Sequence, residues 1–301
     1  MRFKTLSIRK ALFALTSTAV LAMGCGPKNS KDPDEVQDVD TAKTALLNVN
    51  GEIISIPSPI QTAFLINKVG VPFNKEMLNP TNKLTTYSTK FYKALNLGVY
   101  GADLGYVTMY DQTQDALGYM NTVKKLGDDL GVSSAFNPEL LTRFQANFGR
   151  KDSLLGLVSV AYRQSDSYLK NNKQNDVSGL ILTGGWIETM HFVCNVLKTK
   201  DNDEIKRRIG EQKTTIQSII KLLTPYTADK QYADLLVKVN ELSVAFEGIE
   251  LKYTYQKPSV DVEKKTTTIT SGSEIKISAE QIKNISEKIL AIRTLICGSA
   301  T

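Results

Sequence analysis

The sequence predicts a mainly α-helical fold: a multi-helix bundle of antiparallel helical hairpins, with one small β-hairpin or extended flap near residues 249–270. Three observations carry this. Apolar residues recur at three- and four-residue spacing from Ser58 onward. Ser58-Pro59 and Asn137-Pro138-Glu139 place a capping residue before a proline, the pattern of a helix start. Period-two alternation is confined to one late stretch.

Taken in order, Ile60, Phe64, Leu65 and Val69 follow Pro59 on one helical face. Thr81 to Tyr110 reads as one continuous helix through Leu84, Tyr87, Phe91, Leu95, Leu104 and Val107. Gln112–Gly131 repeats the theme with Leu117, Met120, Val123, Leu126 and Leu130. A helix from Pro138 ends at Phe148-Gly149, and further helices fit Asp152–Lys170, Asp176–Thr199, Asp203–Leu223 and Ala228–Phe246. Ile249–Tyr255 alternates, as does the threonine-rich run from Lys265 to Thr270, so the two are expected to form the flap. Ser278-Ala279-Glu280-Gln281 is a capping box for a last helix with an isoleucine stripe: 282, 285, 289, 292 and 296. A weak echo links Leu97-Gly98-Val99-Tyr100-Gly101-Ala102-Asp103 to Leu182-Thr183-Gly184-Gly185-Trp186-Ile187-Glu188. It suits a duplicated bundle, although its period matches no named helical repeat.

Charge narrows the function classes. The chain carries 37 basic and 31 acidic residues, a formal +6. Four of the basic residues, Arg2, Lys4, Arg9 and Lys10, fall within residues 1–24, which hold no acid. The remaining 277 residues carry a net +2 without a basic run or a basic stripe interleaved with aromatics, so a nucleic-acid partner is not indicated. Behind the four cations runs an apolar stretch from Ala11 to Met23, too short to span ~30 Å of hydrocarbon as a helix. Ala22-Met23-Gly24-Cys25 follows, and the whole resembles a lipobox, the signal of bacterial lipoproteins. That resemblance implies cleavage before Cys25 and lipid on its thiol, hence a membrane partner through lipid. It departs from the usual pattern in carrying Ala22 where leucine is common. The expected division is a signal over 1–24, a lipidated cysteine with flexible tether over 25–50, and one helical domain over 51–301. Gly26–Asp40 is polar and proline-broken, and Asp32, Asp34, Glu35, Asp38 and Asp40 outnumber its lysines. Such an acidic patch resembles a surface-export signal, so both a periplasmic and a surface-facing placement stay open.

Candidate chemistry is sparse. Glu188-Thr189-Met190-His191 sets a carboxylate and an imidazole on one helix face, as in di-iron bundles. His191 is the only histidine, so a di-iron site lacks its second motif, and neither metal nor cofactor is assigned. No Gly-x-Ser-x-Gly elbow or P-loop occurs. Asp201-Asn202-Asp203-Glu204 lacks EF-hand spacing and reads as a helix start. Tyr100, Asp103, Tyr106 and Tyr110 in one helix, and Trp186, Glu188 and His191 in another, would line a polar-aromatic cleft if the two helices face each other. Simple packing of tyrosines is the competing reading. Gly98, Gly101, Ala102 and Gly105 suit close helix approach. Cys194 and Cys297 either form a disulfide or are two buried thiols.

At Tyr100–Tyr106, Asp166–Leu169 and Gly184–Glu188 the chain resembles a group of helical lipoproteins from Bacteroidota. The resemblance implies the helical fold and an outer-membrane address; it assigns no residue a catalytic role. The expected function is therefore a lipid-anchored, non-enzymatic envelope scaffold or a module binding a small ligand or an envelope protein. The alternative is an envelope hydrolase or metal-dependent enzyme using Asp103, Glu188 and His191.

Overall fold

The computed structural model describes residues 44–49, 52–57, 59–132, 138–147, 149–261, 266–268 and 272–298. The chain divides into two units, 1–35 and 36–301, and all described residues belong to the second. Cys25, the tether over 26–40 and the caps expected at Ser58 and Asn137 lie outside them.

Nine α-helices run in chain order among the described residues: α1 Pro59–Lys68, α2 Lys90–Met109, α3 Thr113–Asp129, α4 Pro138–Ala146, α5 Lys151–Asn171, α6 Asn175–Thr199, α7 Asp203–Leu223, α8 Lys230–Ala245 and α9 Ala279–Cys297. The mainly α, multi-helix expectation holds. Helix starts follow local chemistry. Thr89, Asn202 and Asp229 each accept a backbone N–H in the first turn of α2, α7 and α8. Ser278 and Gln281 close a reciprocal capping box on α9.

Two expectations at the N-terminal side are corrected. The helix read as continuous from Thr81 is a 3₁₀ segment, Thr81–Thr86, followed by the Thr89 cap, so α2 begins at Lys90. The cluster Thr85-Thr86-Tyr87-Ser88-Thr89 explains the break, because hydroxyl side chains compete for backbone partners and favour caps over helix interiors. The tether expected to reach residue 50 is a strand from Thr44: β1 Thr44–Val49 pairs antiparallel with β2 Glu52–Pro57, from Thr44↔Pro57 to Val49↔Glu52. β2 packs on α7 and α6.

The late flap is a longer hairpin than expected. β3 Glu250–Thr254 pairs with β6 Gly272–Lys276, and the threonine-rich β5 Thr266–Thr268 pairs with β4 Ser259–Asp261. The register slips by one residue between the two ladders, as at a β-bulge. Ile275 seats the base of the hairpin on Gly210 of α7, while Tyr253 and Tyr255 further out are 64% and 68% exposed.

Sequence neighbours pack as hairpins, including α2 with α3, α6 with α7 and α7 with α8. The most extensive helix contact joins α2 to α6, however, and these two run parallel. Leu95 meets Gly184, Gly98 meets Ile181 and Gly185, and Tyr106 stacks near Phe192 with ring centroids 4.9 Å apart, so the contacts advance together along both helices. The two segments of the sequence echo thus lie against each other. Nearly every α6 side chain from Val177 to Val196 is buried. Among the described helices α6 alone is long and apolar enough to cross a membrane, and 83% of its apolar window is buried inside the protein. An all-round apolar helix of this kind is a bundle's central helix.

The α2–α6 contact is made backbone to backbone. A Cβ on Gly98 would stand 1.9 Å from the Ile181 carbonyl oxygen, and one on Gly184 would stand 1.9 Å from that of Leu95. Gly105 is different, since a Cβ there meets only Ile60 at 3.6 Å. Gly98→Ala and Gly184→Ala are each expected to destabilise by about 3 kcal/mol or more. Gly105→Ala is expected to be neutral or stabilising by up to ~1 kcal/mol. Denaturant unfolding of the three variants checks the contrast.

Candidate functional site

α2 and α6 bring Asp103 and Glu188 together, as the sequence suggested for facing helices. Both are 0% exposed. Gly98 and Gly184 permit the approach, and one to two turns further along the carboxyl groups meet. Their counter-charge comes from α9: Arg293 Nε donates to Glu188 Oε2 at 2.6 Å and Nη2 donates to Oε1 at 2.7 Å. This bidentate fork fixes geometry as well as charge. Nη2 also donates to the Met77 carbonyl at 2.9 Å.

Two carboxyls sharing one guanidinium out of water cannot both ionise cheaply. Burial, then the charge of Glu188, pushes the Asp103 carboxyl well above the usual carboxylate range. Burial raises Glu188 as well, opposed by Arg293. Asp103 Oδ2 accepts the Asn79 N–H at 3.3 Å, while Oδ1 finds no donor around it. A proton shared with Glu188 from the Asp103 carboxyl completes the set. The cluster is then Arg⁺, Glu⁻ and a neutral Asp.

The remaining polar groups hold residues 71–89, a strap linking α1 to α2. Tyr110 donates to the Val71 carbonyl at 2.6 Å, Tyr100 to Pro80 at 2.9 Å, and Tyr119 to Asn79 at 3.0 Å. Tyr106 accepts the Asn74 N–H at 3.1 Å. The Asn79 amide donates to the Tyr87 hydroxyl and to Asn96 Oδ1, and Asn96 in turn caps the Ile296 carbonyl at the end of α9. The tyrosines read as possible cleft residues, Tyr100, Tyr106 and Tyr110, spend their hydroxyls on backbone groups of the chain's own strap.

The other expected site residues are placed elsewhere. Trp186 turns away, donating to Gln212 on α7 at 2.9 Å. His191 is buried, within hydrogen-bonding distance of Asn195 on its own helix, and reaches the Met77 backbone; burial and Arg293 depress it to about 3, leaving the ring neutral. Cys194 and Cys297 are free and buried, so the disulfide reading is replaced by two thiols. Cys194 engages Ser286 of α9, eleven residues and roughly 16 Å of helix from Cys297, whereas a disulfide needs Cα atoms within roughly 7 Å. Burial pushes the Cys194 thiol up to about 11 and raises Cys297 too, so neither is a ready nucleophile.

Sequence reasoning missed Arg293, Asn79, Asn96 and Tyr119. A signal existed for Arg293, which sits four residues after Ile289 and beside Ile292 on the apolar stripe of α9. A lone guanidinium on a core face demands an internal partner. Among the described residues no group of three or more histidine, cysteine or carboxylate side chains could hold a metal ion.

Comparison with protein-family models, curated proteins and solved structures finds no match. Asp103→Asn reproduces the protonated carboxyl: its oxygen can accept from Asn79 and its amide can donate to Glu188. A carboxyl whose folded-state value is raised binds its proton more tightly when folded, so its contribution to stability declines as pH rises from ~4. His191, depressed on folding, acts in the opposite sense, its contribution being lost as pH falls from ~6.5 toward about 3. The variant is therefore expected to be at least as stable as wild type at pH 7, with a steeper rise of stability between pH 4 and 6.5. Urea unfolding across that range reads both.

Proposed function

We propose that the protein is a lipid-anchored module of the bacterial cell envelope whose helical domain binds and positions rather than catalyses. The observation that carries the non-catalytic reading is the state of the buried acid pair Asp103 and Glu188. Asp103 and Glu188 are fully buried, Glu188 is clamped at both oxygens by Arg293, and the strap closes over them. A general acid or base must come within hydrogen-bond reach of substrate. An enzyme built on Asp103, Glu188 and His191 has only the two carboxyls together, and substrate reaches them only if residues 71–80 leave. The neutral, buried His191 adds no accessible base.

The membrane address rests on residues 1–25, where four cations, a short apolar stretch and Cys25 resemble a lipoprotein signal. The acidic stretch that follows, and the resemblance to helical lipoproteins of Bacteroidota, support the outer membrane. A single acyl chain gives only marginal membrane binding, whereas multiple acylation gives stable anchoring.

Intact mass of the membrane-extracted protein, beside a Cys25→Ala variant, tests the anchor. The expected wild-type chain begins at Cys25 with added acyl mass and sediments with membranes, and the variant is released or retains its first 24 residues. A wild-type chain that is soluble and carries no lipid contradicts the reading. Protease cleavage on intact cells then distinguishes a surface placement from a periplasmic one.

A further inference from the structure

Away from the clasp, a groove of about 600 Å³ opens between the C-terminal end of α6, the start of α7 and the outer side of α9. That volume lies within the range of small-ligand sites, roughly 300–1,000 Å³. Its floor is apolar: Leu197, Ile277, Ile282 and Leu290, with the buried Cys194 beneath. Leu290 is 46% exposed, an uncovered aliphatic side chain inside a concavity.

The rim carries three ammonium groups, and they are unequally satisfied. Lys206 is held by Asp201 at 2.5 Å and Asp203 at 3.3 Å. Lys283 reaches Glu287 only at 4.0 Å. Lys198 donates to the neutral Asn195 Oδ1 at 3.2 Å, and among the described residues it makes no ion pair. Lys198 lines the groove beside Leu197. Two acids share the rim: Asp201, held by Lys206, and Glu287, 4.0 Å from Lys283, so three cations face two acids. The groove thus joins an aliphatic floor to one unpaired and one loosely paired cation.

We propose that this groove is a binding site for a single-chain aliphatic carboxylate. The carboxylate sits between Lys198 and Lys283, and the chain lies along Leu197, Ile277, Ile282 and Leu290. Charge complementarity selects the anion, and the floor selects the chain. Neither a cationic amphiphile nor a short polar acid offers both.

Calorimetric titration of the full chain with dodecanoate below its micelle concentration is the test. One saturable site is expected, with affinity rising about two- to four-fold per methylene from octanoate to dodecanoate. Lys198→Glu with Lys283→Glu is expected to weaken binding about ten-fold or more, and dodecyltrimethylammonium to bind at least that much more weakly. Leu290→Asp, at an exposed position, sets a carboxylate in the apolar floor and is expected to weaken binding about ten-fold or more while leaving the melting temperature close to wild type. A dodecanoate bearing a terminal diazirine maps the site on the unaltered protein, with cross-links expected within residues 277–290 and near Leu197. Absence of saturable binding, equal affinity for the cationic amphiphile, or cross-links scattered elsewhere overturns the proposal.

Discussion

Arg293 is a cation with little access to water, and the architecture around it follows from that constraint. A buried guanidinium costs several kcal/mol unless its charge and its N–H groups are all met. Here Glu188 of α6 meets two of them and the Met77 carbonyl meets a third. The ion pair therefore ties the last helix to the central one, and both to the strap. Asp103 adds a second acid that remains compatible only by keeping its proton. Three helices and one loop are thus locked by a single charge balance, and each loses its partner if α9 undocks.

The glycine contact makes this balance geometrically available. Because Gly98 and Gly184 let α2 and α6 touch backbone to backbone, the acids that follow each glycine fall side by side in a parallel pair. A bulkier residue at either position would separate the helices and leave Asp103 without Glu188. Close packing and electrostatics are consecutive steps here: the small residues set the distance, and the distance sets the protonation. The strap then seals the junction through tyrosines whose hydroxyls all turn to backbone groups of residues 71–80.

Local signals were legible where one residue's chemistry decides the structure. The Asn202 and Ser278 caps, the span Asp203–Leu223 and the isoleucine stripe of α9 could all be read from spacing. So could the meeting of Asp103 and Glu188, through the glycines before them. Thr81–Tyr110 misled because an apolar period continues across a threonine-rich break. The β1–β2 hairpin was overlooked although Asn50-Gly51, a strong two-residue turn pair, separates two aliphatic-rich runs, Thr44–Val49 and Glu52–Pro57. What spacing could not carry was pairing at a distance. Nothing local ties Arg293 to a carboxylate 105 positions earlier, or tells Tyr100 that its partner is Pro80 rather than a ligand. Of the two readings of these tyrosines, a cleft or simple packing, the hydroxyl partners favour packing, on the strap.

The claim that the clasp is a coupled unit is tested most directly by a double-mutant cycle on Glu188→Gln and Arg293→Met. Removing either partner alone is expected to cost about 3–5 kcal/mol, since the other is left as an unpaired buried charge. With both changed, no charge is stranded, so the double variant should cost far less than the sum, a coupling of several kcal/mol. Costs that add to within about 0.5 kcal/mol would contradict the account and reduce Arg293 to an independent packing residue.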